Sequence, residues 1–106
     1  VSSEAQLAAL RPTAGARFVL ELRSQQGEAS ATYDAYVLTP TTTFAYAAAL
    51  RSDGGVTLTA SGPGATPAHE AALAMFGKLT GRGAAGRHAE GLPAWPARVT
   101  RWRADK

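Results

Sequence analysis

Between Ala16 and Ser61, apolar and polar residues alternate with a period of two in four successive stretches. Beyond Gly62-Pro63-Gly64 the period becomes that of an α-helix. A period of two puts alternate side chains on opposite faces of a strand, whereas a period near 3.6 gathers them on one side of a helix. A chain that runs four short strands and then one amphipathic helix is expected to be α+β, with the helix laid across an antiparallel sheet.

The first stretch, 16–23, sets Phe18, Leu20 and Leu22 against Arg17, Val19, Glu21 and Arg23. Gln25-Gln26-Gly27 reads as a polar turn, and 31–39 sets Tyr33, Ala35 and Val37 against Thr32, Asp34, Tyr36 and Leu38 before Pro40 ends the strand. In 43–51, Phe44, Tyr46, Ala48 and Leu50 share one face and Ala45, Ala47 and Ala49 the other; with neither face polar, an inner strand is predicted. Asp53-Gly54 is a hairpin signal, because glycine supplies the positive φ such turns need, and Val56, Leu58 and Ala60 alternate with threonines in a fourth strand. Short connections between neighbours imply a meander.

Thr66 then fits an N-cap with Pro67 at the first helical position. Ala68, Ala71, Ala72, Met75, Phe76 and Leu79 form an apolar stripe predicted to face the sheet, with Gly81 as the stop. Residues 98–103 carry enough β-branched and aromatic character for a last strand at a sheet edge. At the other end, Ser3 and Gln6 have capping-box spacing, and Leu7 and Leu10 suit a short helix over 4–10. The expected architecture is a two-layer α+β domain spanning 1–106: an antiparallel sheet of four or five strands, one helix across it and a short N-terminal helix.

Composition narrows the chemistry. The 106 residues are 45% hydrophobic and 18% charged, which suits a globular domain, although much of the apolar share is alanine and the core is expected to be thin. There is no cysteine, which excludes disulfides, thiolate metal sites and cysteine nucleophiles. No run of about 20 apolar residues is present to span a membrane, and no secretory leader is visible. Because the chain begins at Val1, a removed leader or upstream domain is equally compatible with it. Residues 1–53 carry four arginines against five acids, net −1, whereas 54–106 carry seven bases against three acids, net +4. The basic character belongs to the second half.

Several motifs resemble chemistry and lose it in context. Gly81-Arg82-Gly83-Ala84-Ala85-Gly86 matches GxGxxG, but the dinucleotide fingerprint needs a strand before it and a helix after it, and here the glycines follow a helix. His69 and Glu70 are adjacent on a helix and cannot converge on one ion, and His88 and Glu90 would need a third ligand from elsewhere. There is no GxSxG elbow, and the serines sit at caps, strand ends and turns. Tyr36 beside Asp34 suits an ordinary surface face better than a general acid. No cofactor and no metal are expected.

Two features remain. Residues 81–97 carry no periodic element over a stretch with four glycines and two prolines, a length unusual for a structureless connection. Arg87, His88 and Trp95 are its candidate interaction residues. One helix, moreover, covers only one face of a sheet, so Val19, Tyr36 and Leu38 on the other should form an apolar patch. The N-terminal helix with Leu7 and Leu10 should cover it in part and a partner protein or a second copy the rest, unless the sheet curls around its helix and the patch is smaller. The leading expectation is therefore a non-enzymatic interaction or accessory module that associates with itself or a partner through the outer sheet face or residues 81–97. The alternative is weak binding of single-stranded nucleic acid by Arg98, Arg101, Trp102 and Arg103, since arginines two apart on a strand stand about 6.6 to 6.8 Å apart and tryptophan stacks on bases. A small-ligand domain or enzyme ranks third and would require a concave pocket near Tyr33, Tyr46 or Trp95.

Overall fold

The computed structural model describes residues 4–104; the Ser3 cap expected for the first helix lies outside them. In chain order the elements are α1 (Glu4–Ala9), β1 (Ala16–Gln26), β2 (Ser30–Leu38), β3 (Thr43–Arg51), β4 (Val56–Ala60), α2 (Pro67–Arg82), α3 (Ala84–Ala89) and β5 (Arg98–Arg103). The strands form one open antiparallel sheet in the order β4-β3-β2-β1-β5. The meander is intact, and the last strand returns to lie beside the first, at the edge. β3 has neighbours on both sides, as its two apolar faces require.

Register explains the main core. Phe18, Val37 and Phe44 lie in one row, Leu20, Ala35, Tyr46 and Ala60 in the next, and Leu22, Tyr33, Ala48 and Leu58 in the one after. These rows and Leu50 pack against Ala72, Leu73 and Phe76 of α2. Trp95 closes the far end: it is 1% exposed, its Nε1 donates to the Gly27 carbonyl at 2.9 Å, and its ring meets Tyr33 edge-on. The Tyr33 hydroxyl in turn donates to the Pro96 carbonyl at 2.7 Å.

The opposite face is covered by the chain itself. Leu7 of α1 packs with Val19, Tyr36 and Leu38 in a second, smaller core bordered by Leu10 and Ala45. Val19 and Leu38 are 0% exposed and Tyr36 is 8% exposed, so the apolar patch expected there is already filled. Arg17 Nη1 donates to the Leu10 carbonyl at 2.6 Å, and Arg11 Nε to Thr43 Oγ1 at 3.1 Å, which ties the end of α1 to the sheet. Apart from Trp102 at its β5 edge, the rest of this face is polar or small, and its two carboxylates are neutralised: Arg23 Nη2 lies 2.9 Å from Asp34 Oδ1 and Arg98 Nε 3.8 Å from Glu21 Oε2.

Residues 81–97 are not a structureless loop. α2 runs through Gly81 and ends at Arg82, and α3 follows directly. Gly81 is buried where the helix crosses β3, and the Arg51 carbonyl leaves no space for a β-carbon there. It is a point of close approach, not a stop. Arg87 holds the following segment by donating from Nε to the Ala94 carbonyl at 2.8 Å and from Nη2 to the Thr80 carbonyl. No helix among the described residues is long and apolar enough to cross a membrane.

Candidate functional site

Gly77 and Gly81 decide how α2 sits. A β-carbon on Gly77 would press on Leu50 and meet Val56, and one on Gly81 would strike the Arg51 backbone, so both glycines bring the helix close to β3 and β4. The buried positions are Ala72, Leu73, Gly77, Thr80 and Gly81. At 3.6 residues per turn their centre lies about 135°, more than a third of a turn, from the centre of the stripe Ala68, Ala71, Ala72, Met75, Phe76 and Leu79. The stripe expected to face the sheet is therefore only partly buried. Met75 is 42% exposed and Leu79 is 60% exposed.

This roll opens a groove between α2 and the β1–β5 side of the sheet. One end is a cleft of about 140 Å³ lined by Phe76, Leu79, Thr80, Arg87, Pro96, Val99 and Arg101. The other is a wider one of about 540 Å³ lined by Ala16, Phe18, Ala68, His69, Ala72, Arg103 and Ala104. Across the sheet, Arg101 is level with Phe18 and Arg103 with Ala16, so both arginines stand on the groove side at its outer rim. Among the described residues neither has a carboxylate within ion-pair distance.

The groove runs beside an open strand edge. The Leu22 amide donates to the Ala97 carbonyl at 2.9 Å, so those two face each other as a hydrogen-bonded pair, and the antiparallel alternation continues along the partners Glu21–Arg98, Leu20–Val99 and onward. Val99, Arg101 and Arg103 then point their backbone groups at β1, and Arg98, Thr100 and Trp102 point theirs outward. Arg101 Nη1 reaches round to the outward Thr100 carbonyl at 2.8 Å.

The four basic-tail candidates are split between faces. Arg101 and Arg103 line the groove, whereas Arg98 and Trp102 lie on the outer face, where Arg98 is held by Glu21. Trp102 is half-exposed and fixed: its Nε1 donates to the Ala14 carbonyl at 2.9 Å, and its ring rests on Gly15, whose φ of 73° and lack of a side chain admit it. The structure thus separates Arg101 and Arg103 from the aromatic surface on which a base would stack. The loop candidates are also apart. Trp95 is in the core, Arg87 binds backbone carbonyls, and His88 Nδ1 lies 3.7 Å from Glu28 Oε2 at the rim of a depression of about 410 Å³ that Leu92 and Pro93 also line.

The tyrosines serve the fold. Burial pushes the Tyr33 hydroxyl up to about 12, against the pull of the Arg87 charge. Burial raises Tyr36 as well, assisted by the Asp34 and Glu21 charges and opposed by Arg23. Tyr46 is raised by burial and by its 2.6 Å bond to Glu70 Oε2, while it accepts from the Ala65 amide at 2.7 Å. None of the three clefts is lined by Tyr33, Tyr46 or Trp95. No three His, Cys, Asp or Glu side chains gather among the described residues.

Sequence reasoning missed Leu79 as a surface residue because an apolar side chain at helical spacing reads as core; Phe76 and Val99 do pack against the core and line the cleft with what they leave exposed. The available signal was Gly77 and Gly81, spaced four apart beside the stripe. Comparison with protein families, curated proteins and solved structures gave no match to this chain.

Proposed function

We propose that this domain is a non-enzymatic protein-interaction module whose docking surface is the groove between α2 and β5. The reading is supported above all by the roll of α2, which turns Phe76 and Leu79 toward an open strand edge. An apolar strip beside unpaired backbone groups provides both elements of polypeptide recognition, side-chain pockets and main-chain hydrogen bonds. On this reading the interface lies on the helix side, away from the outer face that α1 occupies.

Selection of short peptides from a random display library on the folded domain tests the reading. Retained peptides should compete with one another and shift the amide resonances of Leu79, Val99 and Arg101, and Leu79→Glu should weaken them at least about tenfold, since it places a charge against apolar surface. A library that yields no binder, or binders that perturb only the α1 side, would overturn it.

A further inference from the structure

We infer that the partner segment is an extended acidic strand, added to the sheet beside β5 with its carboxylates on the groove side. The inference rests on the interaction reading above and names the chemistry of the ligand. Three outward residues, Arg98, Thr100 and Trp102, offer their backbone N–H and C=O groups along a six-residue edge, a length that one short strand can match. Alternate side chains of an added strand fall on the two faces of the sheet. Those on the groove side lie next to Val99, Arg101 and Arg103, so acids opposite the two arginines complete charges that the described residues leave without a carboxylate.

The free edge is already arranged for this exchange. The Arg101 guanidinium caps the Thr100 carbonyl. An incoming backbone amide takes that carbonyl and frees the guanidinium for the carboxylate beside it. Charge also selects against other occupants. A second copy pairing its own β5 antiparallel to this one, with the same face toward the groove, would bring its Arg101 and Arg103 to the groove side beside the first pair, and like charges across a strand pair are destabilising. A nucleic acid would find the stacking surface of Trp102 on the opposite face from Arg101 and Arg103.

The test uses five synthetic peptides on the intact domain: an eight-residue peptide of alternating glutamate and valine, the same peptide with glutamine for glutamate, the same with lysine, and the glutamate peptide N-methylated either at its valines, the inward row, or at its glutamates, the outward row. Trp102 emission and amide shifts along β5 report binding. The glutamate peptide should bind at least tenfold more tightly than the glutamine one, weaken with salt, and lose at least tenfold when N-methylated on the inward row. In the double variant Arg101→Glu/Arg103→Glu the preference should invert toward the lysine peptide, which also shows that the variant still folds. Equal affinity for the glutamate and glutamine peptides overturns the acidic partner while leaving the interaction reading to the library result. Equal tolerance of N-methylation on both rows overturns strand addition. Tighter binding of a single-stranded oligothymidylate than of any peptide overturns both.

Discussion

Tyr33 and Trp95 show how much of this molecule hangs on single side chains. Both are buried, both touch the segment after α3, and each spends its one polar group on a backbone carbonyl far away in sequence. With the bonds from Arg87 to the Ala94 carbonyl and from the Leu22 amide to the Ala97 carbonyl, they fix the path of residues 90–97 to β5. Truncating Trp95 to Ala should cost about 3–5 kcal/mol, the usual penalty for deleting a large buried aromatic, measurable by chemical denaturation. Tyr33 makes a separate prediction about pH. Its hydroxyl titrates near 10.0 when unfolded and about 12 when folded, so folding favours the neutral phenol. That contribution is complete below pH 10.0 and is lost as pH rises toward about 12, at most roughly 3 kcal/mol. The denaturation midpoint should therefore fall across this window. Tyr33→Phe should flatten the fall, leaving the part due to Tyr36 and Tyr46, while costing about 1 kcal/mol at neutral pH through the lost hydrogen bond.

At the level of elements, glycines have opposite meanings within one short run. Gly81 faces the Arg51 backbone, whereas a β-carbon on Gly86 of α3 would meet nothing. Helix propensity alone favours alanine at both positions. Gly86→Ala should stabilise the domain by about 0.5–1 kcal/mol, and Gly81→Ala should destabilise it by about 1–3 kcal/mol, because a backbone carbonyl cannot move aside cheaply. Thermal melts of the two variants should shift in opposite directions. The same run shows what the sequence makes legible. Strand alternation, Asp53-Gly54 and the Thr66-Pro67 start are local signals and appear where expected. α3 was hidden because its glycine-rich surroundings read as loop, and the bonds from Arg87 to Thr80 and Ala94 that hold it there depend on tertiary placement. The groove was hidden for a related reason: periodicity shows that α2 has an apolar side, but its roll is set by the ridge of closest approach.

For the whole molecule, the two faces of the sheet are settled differently. The outer face is closed by a helix of six residues, too short to persist without docking, so its cover depends on the Leu7 contact. Leu7→Asp should release α1 and uncover Val19, Tyr36 and Leu38. Sedimentation velocity should then show association that rises with concentration beyond that of the parent protein; unchanged sedimentation would mean that α1 is dispensable as a cover. The two edges also differ: β4 spans five residues without a charged side chain, whereas β5 carries three arginines.

Gly77 and Gly81 touch β3 and β4, on the flank of α2 away from β5, and make no part of the groove lining. Yet the distance between α2 and β5 is the remainder left once those two contacts are satisfied. The opening on one flank is in effect gauged by hydrogens on the other, and a relative with larger residues at these positions would present a different aperture with every lining side chain unchanged.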